Sequence, residues 1–162
     1  MLCRVCILSA NDLRDRRSAA GYGFCLSGGL IVWKSKTMSI VATSSTEAEF
    51  LAAVSAAKTA ICLRSVLEEL GFPQTAPAPL HEDNASAIKM INAGKPTERS
   101  RHIDIQAFAI QQWKQKQLIA MHHIPGIHNP SDDLTKPLGW VLHERHARRM
   151  LGHYGIHRSI SL

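Results

Sequence analysis

The sequence lacks most of what marks a membrane, secreted or zinc-finger protein. No stretch strings together the ~18 apolar residues of a membrane span, so no membrane partner is expected. The opening residues are too short and interrupted for a secretory signal. Cysteine is scarce: Cys3, Cys6, Cys25 and Cys62. Cys3-x-x-Cys6 is half of a zinc site, and no second pair follows to complete it. Reduced thiols in a cytosolic setting are the expectation. There is no internal repeat and no low-complexity tract, which argues against a stacked-repeat architecture. Acidic residues are the scarcer charge, 13 against 19 basic, for a net +6 with histidines neutral. That excess favours a polyanionic partner.

What is present fits one domain. The 162 residues are 45% hydrophobic, enough for a real core. The organising stretch is Ala42 to Leu70, a long helix with its start written out. Ser44, Ser45 and Thr46 are N-cap residues, and Thr46-x-x-Glu49 fits a capping box. Phe50, Val54, Ala57 and Ile61 recur at helical spacing. Ala52, Ala53, Ala56, Ala57 and Ala60 leave one side small enough to lie close against a sheet. Gly71 and Pro73 end the helix.

Strands lead into it. Met1 to Ser9 is an apolar first strand, and Asn11 to Ala20 a charged loop. GYGFCLS and LIVWKSK flank Gly28-Gly29, a hairpin signal. Thr37 to Ala42 extends the sheet. After the helix, Phe72 to Pro79 is a linker. Leu80 to Asp83 is a short strand, Asn84 to Asn92 a helix, and Ala93 to Arg101 a basic loop. Ile103 to Gln115 is a third helix, with Phe108 and Trp113 as its large apolar groups. Leu118 to Ile124 is a strand. Ser131 or Asp132 caps a short helix interrupted at Pro137, and Gly139 to Leu151 is helical and basic. Strands first, then strands alternating with helices, imply a mixed sheet with helices packed on it. Acids recur at element ends: Glu49, Asp83 and Asp132. Strand ends and helix starts are where ligands sit in such sheets.

Five short motifs follow in order: Trp33-Lys34-Ser35-Lys36; Ser44-Ser45-Thr46-Glu47-Ala48-Glu49-Phe50; Asp83-Asn84-x-Ser86-Ala87; Arg101-His102-Ile103-Asp104; and Asp132-x-Leu134-Thr135-Lys136-Pro137-Leu138. Together they resemble the ribonuclease H domain at the end of a copia-type LTR retrotransposon Pol polyprotein. The resemblance is clear from about residue 17. It implies an α/β RNase H-like fold over residues 1–138, a mixed five-stranded sheet with helices on both faces and an incomplete first strand. Residues 139–162 are then a basic C-terminal helix and tail.

The resemblance also implies a carboxylate site for two divalent cations, Mg²⁺ or Mn²⁺. Glu49, Asp83 and Asp132 map onto three of its metal ligands, with Glu47 and Asp133 assigned to capping and solvent. His128, in the Pro-Gly-Ile-His-Asn-Pro loop, maps near a proton-shuttling histidine. The family's first-strand Asp-Ala-Asp-Trp falls in register with Cys6-Ile7-Leu8-Ser9, where no carboxylate stands. A thiol at position 6 is a soft ligand ill-matched to Mg²⁺, so weak or absent cleavage is expected.

The implied activity is hydrolysis of the RNA strand of RNA–DNA hybrids during reverse transcription. The implied partners are the hybrid and the reverse transcriptase domain of the same polyprotein, in a cytoplasmic virus-like particle or in the nucleus. The alternative is a defective module that binds nucleic acid or reverse transcriptase without cutting. An integrase-type enzyme ranks lower, because Glu49 precedes both aspartates. Substrate grip is expected from backbone phosphates, through Lys34, Lys36, Lys95, Arg99 and Arg101, with Asn84 at the ribose 2′-OH. Trp33 and Trp113 are expected to pack in a core. His143 and His146 do not make the H-E-x-x-H zinc motif and read as part of a basic helix face.

Overall fold

The structure, a computed structural model, describes residues 5–11, 18–37, 45–93 and 101–152. Its elements in chain order are β1 (Val5–Asn11), β2 (Ser18–Leu26), β3 (Gly29–Thr37), α1 (Ser45–Glu69), β4 (Ala78–Glu82), α2 (Ala85–Ala93), α3 (Arg101–Gln115), β5 (Ile119–His123) and α4 (Trp140–Met150). Two 3-10 turns, Gly126–His128 and Pro130–Leu134, lie between β5 and α4. The strands form one five-stranded mixed sheet in the order β3-β2-β1-β4-β5. β1, β2 and β3 pair antiparallel, while β4 pairs parallel with both β1 and β5. Parallel neighbours need crossover connections; α1 leads into β4, and α2 with α3 leads into β5.

The hairpin turn sits one residue earlier than the Gly28-Gly29 signal suggests. Ser27 and Gly28 are its central residues, with φ of 51° and 94°. A two-residue turn with both φ positive matches the twist of the flanking strands. Gly29 is already the first residue of β3. The proposed strand extension from Thr37 to Ala42 falls outside the described residues beyond Thr37.

Alternation along β2 shows that the sheet is covered on both faces. Tyr22 and Phe24 are buried in the core against α1, and the Tyr22 hydroxyl lies 3.0 Å from Thr59 Oγ1. Gly21 and Gly23 point the other way, towards Leu134 and Thr135. Successive strand residues face opposite sides, so α1 and the 130–134 turn lie on opposite faces. α4 packs against that turn and against β3.

The alanines do what their size suggests. Ala48, Ala52, Ala53, Ala56, Ala57 and Ala60 are all buried along α1, with Phe50 and Val54 among them. By length and composition α1 is apolar enough to cross a membrane, more so than counting uninterrupted apolar residues indicates. In this fold it is the core helix. It ends as expected at Gly71, with φ 84° and Phe72 N–H donating to Leu67 O at 2.8 Å. The buried Arg64 donates to the carbonyls of Gln74 (2.6 Å) and Ala76, fastening the linker that leads to β4.

Of the two tryptophans expected in a core, Trp113 packs there and Trp33 does not. Trp33 is 62% exposed, because β3 is an edge strand and Trp33 stands on the face that α4 only partly covers. Trp113 is partly buried against the core, while Phe108 on the same helix is exposed.

Candidate metal centre

β4 buries Ala78, Leu80 and Glu82 in alternation. Its third inward position therefore holds an acid where the pattern calls for an apolar side chain. Glu82 is 0% exposed. Asp83 follows at once, half-buried at the strand's end. The N-terminal end of α1 brings Glu49, 6% exposed, to the same place. Carboxylate oxygens of Glu49, Glu82 and Asp83 lie within 4.8 Å of one another. Asp132, buried in the 130–134 turn, is near enough for its charge to act on Asp83. Lys136 Nζ stands 3.1 Å from Asp132 Oδ1.

So the structure clusters two of the predicted acids, Glu49 and Asp83, and adds Glu82, which the sequence reading passed over; Asp132 stands beside them, close enough for its charge to act on Asp83, with Lys136 on its carboxylate. Burial, then the charge of Glu49, raises the Glu82 pKa from 4.5 to about 9, against the pull of the Asn84 N–H. Asp83 is raised too. Burial is the main cause and the Asp132 charge adds to it, while the Glu82 carboxyl and Lys136 oppose it. A cation would relieve the repulsion among these acids and displace the protons they hold. An all-carboxylate donor set suits hard ions such as Mg²⁺ or Mn²⁺ better than zinc. The fully buried Glu82 Oε2 has no hydrogen-bond partner among the described residues. The residues present thus fit a divalent cation.

The loop that carries Asp132 is built from its own residues. Asn129, not Ser131 or Asp132, caps the turn: its side chain accepts from Ser131 N–H at 3.2 Å. Asn129 precedes Pro130, which can only begin a turn, so the cap falls one residue before the proline. Ser35 Oγ donates to Leu134 O at 2.6 Å. At Gly21 a Cβ would meet Thr135 Cγ2 at 2.6 Å, so only glycine lets β2 and this loop close up.

A 3-10 turn advances one residue per third of a turn, which sends Asp132 and Asp133 in different directions. Asp133 does not face solvent as expected. Its side chain is 4% exposed and lies 3.3 Å from His143 Nδ1 and 3.8 Å from His146 Nδ1. His146 is fully buried, with Nε2 3.3 Å from Ile127 O. Half of the supposed basic face is therefore an internal contact that holds α4 to the site loops. Arg149 adds a hydrogen bond to His128 O at 3.3 Å.

His128 is exposed at the end of the 126–128 turn. That turn lies against Asp83, since a Cβ at Gly126 would stand 3.1 Å from Asp83 Oδ2. Asn84 has a structural duty: its Oδ1 accepts from Ser86 N–H (2.9 Å) and Ala87 N–H (3.1 Å), capping α2. Lys34 and Lys36 line a groove between β2, β3 and α1, joined there by Lys58, also missed from sequence. Lys95 and Arg99 lie outside the described residues. Arg101 opens α3, and its side chain lies outside them as well.

β1 runs between β2 and β4. Its backbone register pairs Cys6 with His81 and Ile7 with Glu82. Leu8 and Asp83 come next on the two strands. Residue 8 is therefore nearer the level of Asp83 than residue 6, the position matched to the family's first acid.

No family model matches the chain. It is 37% identical over 127 residues (78% of this chain) to the retrovirus-related Pol polyprotein from transposon TNT 1-94 of Nicotiana tabacum. The chain spans about 10% of the length of the curated relatives it matches. Its fold is similar to the N-terminal RNase H domain of a Mycobacterium tuberculosis protein, with TM-score 0.58 and 10% identity over 91% of this chain and 98% of that one. It is also similar to LC11-RNase H1 solved in complex with an RNA/DNA hybrid, with TM-score 0.55 and 14% identity over 81% of this chain and 93% of that one.

Proposed function

We propose that this chain, which belongs with the copia-type retrotransposon Pol polyproteins as an RNase H-like module, is a metal-dependent nuclease for the RNA strand of RNA–DNA hybrids. The observation that carries this reading is the convergence of Glu49, Glu82 and Asp83 at one end of the sheet, beside Asp132. That a neighbour in fold was solved with a hybrid supports the choice of substrate.

Glu49, Asp83 and Asp132 would hold divalent cations. Bound there, two such ions supply Lewis-acid stabilisation of the phosphoryl and leaving oxygens and a more acidic water. The chain's own residues do the rest. Lys136 fixes the Asp132 carboxylate through their 3.1 Å contact. Lys34, Lys36 and Lys58 line the groove that would take backbone phosphates. The Asn84 amide, its carbonyl already committed to α2, donates to a ribose 2′-OH. His128, exposed on a loop against Asp83, exchanges a proton at a ring nitrogen as product leaves. In this proposal the module works beside the reverse transcriptase of the same polyprotein, in a cytoplasmic particle.

A second reading is a module that holds the hybrid without cutting it. One observation favours it: β1, the strand beside β4, carries no acid at Cys6-Ile7-Leu8-Ser9. Cleavage of a hybrid with a labelled RNA strand, in Mg²⁺ and in Mn²⁺, separates the two. The nuclease reading expects metal-dependent cutting that Asp83→Asn abolishes. Tight hybrid binding by a folded chain that never cuts would establish the second reading instead.

A further inference from the structure

We propose that Glu82 is itself a cation ligand, supplying from β4 the carboxylate that β1 does not carry. The inference rests on the metal-dependent reading above and names a donor beyond Glu49, Asp83 and Asp132. The Glu82 carboxyl is fully buried and lies in the cluster with Glu49 and Asp83, their oxygens within 4.8 Å. One oxygen, Oε1, accepts the Asn84 N–H at 3.1 Å. The other, Oε2, is buried without a hydrogen-bond partner among the described residues.

Buried polar atoms are nearly always satisfied, and an orphaned one needs a reason. The side chains clustered with it are the acids Glu49 and Asp83. A cation is the partner that satisfies the oxygen and relieves the crowding of carboxylates together. The backbone explains why this oxygen can stand in for the missing one. β1 and β4 are parallel neighbours, and Ile7 pairs with Glu82. A carboxylate from β4 at this level enters the same end of the sheet that a first-strand acid would reach. Inward alternation along β4 then aims it beneath Glu49 rather than out to solvent.

The test is Mn²⁺ binding to the full chain, stripped with chelator and dialysed. Free Mn²⁺ is counted by electron paramagnetic resonance, and thermal stabilisation is read in parallel. Glu82→Gln keeps the Asn84 contact and the shape but loses the charge. Glu82→Asp keeps the charge but withdraws it by one methylene. Mn²⁺ affinity is expected to fall by more than about tenfold in Glu82→Gln, beyond the low end of what loss of an outer-shell partner costs, and by less in Glu82→Asp. Asp83→Asn should fall as well, with the far-UV circular dichroism unchanged in all three. Wild-type affinity in both Glu82 variants, with loss only in Asp83→Asn, would overturn the role of Glu82 and leave the metal reading standing. Failure of the wild-type chain to bind Mn²⁺ would overturn the metal reading itself, and this inference with it.

Discussion

Replacing Glu82 by glutamine should make the metal-free protein more stable at neutral pH and remove most of its alkaline sensitivity. In the folded chain the Glu82 pKa stands at about 9, against an ordinary 4.5, because burial and then Glu49 oppose its charge. Between those values the unfolded chain has released this proton and the folded chain still holds it. The unfolded state therefore binds fewer protons, and stability falls as pH rises, by about 1.4 kcal/mol per pH unit. From pH 4.5 to pH 7 the loss reaches roughly 3 kcal/mol. Glutamine cannot ionise and still offers Oε1 to Asn84 N–H, so the variant escapes that loss. At about 3 °C per kcal/mol for a domain of this size, its melting temperature at pH 7 should rise by roughly 10 °C.

The assay is chemical and thermal unfolding from pH 4 to 9 with chelator present throughout. The two proteins should agree near pH 4.5 and diverge steadily above it. A smaller slope of the same sign should persist in the variant, from the raised Asp83. Parallel curves for the two proteins, with no divergence on raising the pH, would refute the argument that Glu82 is held as a neutral acid.

Gly21→Ala puts a methyl 2.6 Å from Thr135 Cγ2, which should cost about 1–3 kcal/mol in urea unfolding. Because it displaces the Asp132 loop, it should lower kcat more than it raises KM. His146→Ala empties a fully buried site and strands Asp133; denaturant titration should show a loss of about 2–4 kcal/mol. Lys34→Ala and Lys58→Ala should each weaken hybrid binding and flatten its salt dependence by about one in log–log slope, measured by fluorescence anisotropy. Adding a first-strand acid should strengthen Mn²⁺-dependent cleavage more through Leu8→Asp than through Cys6→Asp, since residue 8 continues the pairing to the level of Asp83. Equal gains at both positions would argue against that register.

Much of this was legible because the informative residues are local. Gly71 at a helix end and the alanines of α1 act through their own backbone or size, and both work as read. Motif spacing points to Glu49, Asp83 and Asp132; the structure clusters Glu49 with Asp83 and leaves Asp132 beside them. What escaped depended on direction. Glu82 beside Asp83 looks like a second surface acid, until the spacing from Ala78 and Leu80 is continued and places it inward. Asp133 beside Asp132 likewise looks exposed. Its burial depends on α4 arriving from ten and thirteen residues later with His143 and His146. Lys58 lies on a helix far in sequence from Lys34 and Lys36, and only the crossing of α1 over the sheet makes them neighbours. Trp33 was misplaced because sequence does not reveal which strand forms an edge.

The buried alanines of α1 also set a distance. Where α1 presents only alanine Cβ atoms, the packed layer beneath it is the strands' own large side chains, Tyr22, Phe24 and Leu80, all buried and closely packed. Added volume anywhere along that contact must lift or tilt the whole rod. Ala60 lies about 16 Å along the axis from Glu49 at the usual rise per residue, yet both belong to one rigid element. The depth of the Glu49 carboxylate over Glu82 and Asp83 is thus gauged by residues that never approach it. An enlargement at Ala56 or Ala60 should register in cation affinity as a change of spacing, even though the carboxylates themselves are untouched.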